Sequence, residues 1–192
     1  SYDNDFLFLK HIEGRFSPKD TLYDNLALVQ GIINGYESYK KRLADKFGKG
    51  FAPKFQLVAH FIKQKDTKPT DRQIRHREVR KGIRRKGHAL YLMMLYASYK
   101  KIKECEVVGI DAAANEMDAG PEVFAPTFHW LRKKWRERKK DIQITFHAGE
   151  DFVHLLSGLR MMVEAVDFLD MEQGDRIGHG TAAGIEPSLW MN

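Results

Sequence analysis

The sequence predicts a parallel α/β sheet. Five strand-length apolar runs alternate with amphipathic helical stripes, no repeat of solenoid period is present, and no Pro-, Gly- or Ser-rich linker divides the chain. Such alternation requires crossovers, which are right-handed and return each helix to the sheet. An open doubly wound sheet and a (β/α) barrel both satisfy the pattern, and periodicity does not choose between them.

The elements follow in order. Residues 6–16 (FLFLKHIEGRF) read as a strand. Ser17 has the character of an N-cap, with Pro18 at the first helical position and Asp20 near the helix start. Leu22, Leu26, Val29, Ile33, Tyr36, Leu43 and Phe47 form one helical stripe, ended by Gly48 and Gly50. Lys54–Ile62 is a strand, and Lys63–Pro69 a polar loop. Thr70-Asp71-Arg72-Gln73 is a capping-box pattern opening a helix with a break near Gly87 that reaches Ile102. Glu106–Asp111 is a buried-strand pattern. Phe124, Phe128, Leu131 and Trp135 mark the next helix, and Asp141–His147 the next strand. Leu155, Leu159, Met162, Val166 and Leu169 mark another helix, before a last strand at Arg176–His179.

Composition narrows the class. The 192 residues are 43% apolar and 11% aromatic, as in ordinary globular proteins. A single cysteine, Cys105, allows no internal disulfide and suits a reducing compartment. No apolar run is long enough to span a membrane, and Ser1 to Asp5 lack the features of a signal peptide. The expectation is a soluble, cytoplasmic chain without a membrane partner. The net charge of +6 is concentrated in two runs. Lys63–Lys86 carries 11 Lys/Arg against three acids, and Arg132–Lys140 carries 7 against Glu137. We read both as solvated helix faces; the sharper alternative is a surface for phosphate or RNA. Base-stacking aromatics are sparse in both runs, which argues against a nucleic-acid partner.

Three segments sit just past strands: Ile110-Asp111-Ala112-Ala113-Ala114-Asn115-Glu116, His147-Ala148-Gly149-Glu150 and Arg176-Ile177-Gly178-His179-Gly180. C-terminal strand ends converge on the ligand side of such sheets, so the three are expected to share a site. An imidazole can ligate a metal, and an Ala-Gly turn lets a carboxyl three residues on point into the same cavity. His179, between two glycines, has little steric cover. Taken singly, each is an ordinary structural residue. His11, His60, His76, His88, His129 and His154 have no ligand spacing and are read as structural.

Together with Ile12-Glu13-Gly14-Arg15-Phe16-Ser17-Pro18, these segments resemble the adenosine/AMP deaminase family of metal-dependent hydrolases, in its adenosine-deaminase form. The resemblance implies a partial (β/α)8 TIM-type barrel, strands two to six with their helices. Residues 1–192 would then be a single incomplete barrel segment. A full barrel takes about 250 residues. The family's first-strand His-x-His pair is absent from this sequence, as is its eighth-strand aspartate.

The implied activity is zinc-dependent hydrolytic deamination of a purine nucleoside or nucleotide, of the adenosine-to-inosine type. His147 would be a Zn2+ ligand, His179 and Glu150 catalytic, and Ala114 substrate-binding, standing where the family has a glycine. With one ligand of its own, this chain is expected to bind zinc weakly and to be inactive alone. Its expected partners are the remaining segments of the parent chain and a second copy of itself. The alternative is an inactive deaminase-like module that binds nucleotides or serves assembly.

Overall fold

The computed structural model describes residues 9–48, 50–66, 74–100 and 106–191. Five strands, β1 (His11–Phe16), β2 (Lys54–Ile62), β3 (Glu106–Ala113), β4 (Gln143–Ala148) and β5 (Arg176–His179), form one sheet in the order β1-β2-β3-β4-β5. Every neighbouring pair is parallel. A doubly wound sheet reverses its order at a switch point. Here the order never reverses, so right-handed crossovers place all the helices on one face. That face is covered by α1 (Leu22–Phe47), α2 (Arg77–Tyr99), α3 (Pro121–Arg136) and α4 (Leu155–Phe168), each packed against the next. The arrangement is a partial (β/α) barrel. A 3₁₀ turn at Thr181–Gly184 and a helical turn at Pro187–Trp190 follow β5.

Strand alternation divides the core from the site. Leu57, Ala59 and Phe61 of β2, Ile110 and Ala112 of β3, and Ile144 and Phe146 of β4 face the helices and are buried with Leu90, Phe124, Phe128 and Leu131. The opposite, inner face carries Arg15, His60, Asp111, Thr145, His147 and Arg176. A register shift between Leu57 and Val58 brings His60 level with Asp111, and Asp111 in turn lies level with Thr145.

Several sequence-based expectations change in detail. The N-cap of α1 is Thr21 rather than Ser17, its hydroxyl accepting from the Asp24 amide at 3.1 Å. Buried Asn25 explains the delay: its side chain accepts from the Lys19 amide and donates to the Lys19 and Thr21 carbonyls, holding that loop out of the helix. No break occurs at Gly87. A Cβ there would lie 2.5 Å from Thr127 Cγ2, so the glycine serves the close crossing of α2 and α3. The Thr70–Gln73 capping box, Ile102 and Cys105 lie outside the described residues. On α4, Ala165 is buried in place of Val166, which faces solvent with Leu156 and Val163.

The basic runs are not uniformly solvated. Lys63 is 2% exposed, and Arg132 is 6% exposed. Arg132 donates from Nη2 to both Asp175 carboxylate oxygens, at 2.6 and 2.5 Å, and from Nη1 to the Asp170 carbonyl. Among the described residues, no helix is long and apolar enough to cross a membrane.

Candidate functional site

Asp111, on β3, is the hub of the inner face. Fully buried, its Oδ2 accepts from Arg15 Nε at 2.9 Å and from His60 Nδ1 at 2.9 Å. An ionised carboxylate only accepts, so His60 carries its proton on Nδ1. Burial pushes the Asp111 carboxyl up, but the His60 hydrogen bond and the charges of His147, His60 and Arg15 together hold it below the usual carboxylate range. Its Oδ1 has no hydrogen-bond partner among the described residues and lies 3.5 Å from His147 Nε2.

His147 ends β4 beside Gly178 of β5. A Cβ on Gly178 would come within 2.7 Å of the imidazole, so only glycine leaves room for the ring. Burial pulls the His147 pKa down, and the positive surroundings of His179, His60 and Arg15 add to this against the opposing Asp111. The ring is therefore neutral near pH 7, as a metal-ligating imidazole must be.

His179 follows on β5 with φ 64°. Its ring centroid lies 4.8 Å from that of His147, and its Nε2 lies 3.0 Å from Glu150 Oε2. Gly149, at φ 88°, makes the turn that carries Glu150 there. Thr181 Oγ1 donates to the Gly149 carbonyl at 2.5 Å, and Gly180 N–H donates to the Ala148 carbonyl at 3.0 Å. The turns after β4 and β5 are thereby joined.

A second set of buried groups holds these turns from behind. Glu116 Oε2 accepts from the amides of Glu150 (2.9 Å) and Asp151 (3.2 Å), while Asp151 Oδ2 accepts from the Glu116 amide at 3.0 Å. Lys63 Nζ donates to the His147 carbonyl at 2.5 Å and sits 4.1 Å from the Phe146 ring centroid. Burial lowers its pKa to about 8, against the opposing Glu116, Asp111 and Asp151.

Of the residues singled out in sequence, His147, His179 and Glu150 come together, with Glu150 half exposed at the mouth. Ala114 stands exposed past the end of β3 at φ 89°. An L-residue with a Cβ is strained there. Ala114→Gly is expected to raise stability by about 1 kcal/mol, read from the denaturant midpoint.

His60, Arg15, Lys63 and Glu116 were not singled out as site residues. Strand alternation assigns each of the first two to one face of its own strand, but not to a contact with Asp111.

Among the described residues no group of three His, Cys, Asp or Glu could hold a metal ion. A catalytic zinc takes three protein ligands, and the described residues do not bring three together. The set places one imidazole, His147, beside a carboxylate–imidazole pair, Glu150 and His179.

The adenosine deaminase family model matches residues 56–191. The chain belongs to the adenosine deaminase family. Its family is one of hydrolases acting on C–N bonds, and the matched span contains His147, Glu150 and His179. Among solved structures, the family member is similar to an adenine deaminase from Arthrobacter aurescens, at 18% identity and TM-score 0.49 over 94% of this chain and 42% of that one. It is also similar to an amidohydrolase from Burkhoderia ambifaria with bound Zn, at 20% identity and TM-score 0.49 over 94% of this chain and 39% of that one. The chain thus spans about two fifths of the length of these structures. No curated protein sequence matches it at a significant level.

Proposed function

We propose that residues 1–192 are one incomplete barrel segment of a cytoplasmic enzyme that hydrolytically deaminates a purine nucleoside or nucleotide. The observation that carries this reading is the convergence of His147, His179 and Glu150, with His179 Nε2 3.0 Å from Glu150 Oε2 and the two imidazoles 4.8 Å apart. His147 is one ligand of a zinc ion whose other ligands lie outside this chain. When bound there, zinc would supply Lewis acidity toward a water molecule.

The chain's own residues do the rest. His179 accepts or orients the proton of the attacking water. Glu150, in its protonated form, donates to the ring nitrogen beside C6 and makes that carbon electrophilic. The amide of Ala114 faces the purine. Water adds at C6, the C6–N bond breaks, ammonia leaves, and a 6-oxo purine remains.

The deciding experiment is an ammonia and 6-oxo-purine assay on the full-length protein with adenosine, AMP and ATP, with and without zinc. Zinc-dependent ammonia release from one of them is the expected result. A folded, zinc-loaded protein that releases none from any of the three overturns the reading in favour of an inactive deaminase-like module.

A further inference from the structure

On the helix layer, away from the inner face of the sheet, α2, α3 and the residues at the start of α1 line a half-open cavity of about 750 Å³. Thr127, which α3 brings close against Gly87 of α2, is one of the residues that line it. The volume falls within the range of small-ligand sites, on the order of 300–1,000 Å³.

The rim is a chemical sequence along a single helix. Lys81, the adjacent Arg84 and Arg85, His88 and Leu92 lie on successive turns, so one side of α2 passes from cations through an imidazole to an aliphatic side chain. Opposite, on α3, Trp130 lies nearly parallel to His88, with ring centroids 5.8 Å apart and an interplanar angle of 25°. Lys81 is paired with Glu78 and Arg85 with Asp20, both at exposed positions. Arg84 is exposed and makes no ion pair among the described residues. The cavity is therefore apolar and aromatic at one end and cationic at the other.

We propose that this cavity binds a nucleoside phosphate, with the base lying against His88 and Trp130 and the phosphates against Lys81, Arg84 and Arg85. A planar aromatic ring fits the aromatic end. Guanidinium forks match phosphate oxygens in a bidentate manner, and the unpaired Arg84 is available without breaking an existing contact. One tryptophan beside one imidazole seats a single base. A polynucleotide track needs a succession of aromatic platforms, which this face lacks. The proposal stands independently of the deaminase reading, because none of these residues belongs to the cluster around His147.

Isothermal titration of the full-length protein with GTP tests it, since GTP has no 6-amino group and is not consumed by the proposed reaction. GTP is expected to bind at least about tenfold more tightly than inorganic tripolyphosphate. Arg84→Glu and Lys81→Glu, both at exposed positions, are each expected to weaken GTP binding by about tenfold or more. Any of four outcomes overturns the proposal. These are no GTP binding, unchanged GTP affinity in both variants, tripolyphosphate binding as tightly as GTP, and displacement of GTP by a much tighter-binding oligouridylate. The last would identify the groove as a polynucleotide surface.

Discussion

Glu150→Gln in the full-length protein is expected to lower the deamination rate at least about a hundredfold, the usual scale for a general acid–base group, with zinc content unchanged. Gln keeps the size of the side chain and its hydrogen bond to His179 but supplies no acidic proton. The structure sharpens this test by separating two roles that one carboxylate in a turn could combine. The turn at Gly149 is held by Glu116, whose Oε2 takes the amides of Glu150 and Asp151. The Glu150 carboxylate contacts His179 instead. Loss of the Glu150 carboxyl group therefore leaves the turn supported, and the effect is expected in kcat with little change in stability. His147→Ala is expected to lose metal and activity together. Near-normal turnover in the Gln variant would remove Glu150 from the mechanism.

Asp175→Ala is expected to destabilise the protein by about 3–5 kcal/mol, the range for breaking a buried ion pair from one side. Asp175 is almost wholly buried and accepts four hydrogen bonds. Two come from Arg132, one from the Ile144 amide at the start of β4, and one from the Glu172 amide at 2.8 Å. Its removal leaves the Arg132 guanidinium buried, with the Asp170 carbonyl and a more distant Glu172 carboxylate at 3.9 Å as partners. Replacing both residues, Arg132→Leu with Asp175→Ala, is expected to recover much of the loss, because the buried charge disappears with its counter-ion. Urea titration of the two variants beside the unsubstituted protein measures both numbers. A single-variant loss below about 1 kcal/mol would show that the pair is not energetically buried.

The sequence made the elements legible wherever a period stood between clear breakers. Helix α1 from Leu22 to Phe47, strand β2 from Lys54 to Ile62 and strand β5 from Arg176 to His179 coincide with their apolar runs. Strand order was open to periodicity alone, because a local pattern states which face a residue takes and not which strand lies beside it. The family resemblance implied the barrel, and the monotonic order of the sheet bears it out.

The hub at Asp111 was illegible for a different reason. Arg15 and His60 are 96 and 51 residues away in sequence, so no spacing announces the contact. Lys63 and Arg132 were obscured by averaging, since a charged run hides the one member that turns inward. Arg132 follows Phe128 by four residues and Leu131 by one, on the flank of the buried stripe. Helical geometry could have marked it as the cation that goes inside.

Glu116 grips the amides of Glu150 and Asp151, and Asp151 grips the amide of Glu116 in return. Lys63 joins the same assembly from β2, donating its backbone amide to the Ala113 carbonyl and its ammonium to the His147 carbonyl. The segments that leave β2, β3 and β4 thus share one set of fastenings, and releasing any one strands a buried carboxylate or ammonium in the others. Their opening is therefore expected to be concerted, with the amides of Glu116, Glu150 and Asp151 exchanging hydrogen at one common rate.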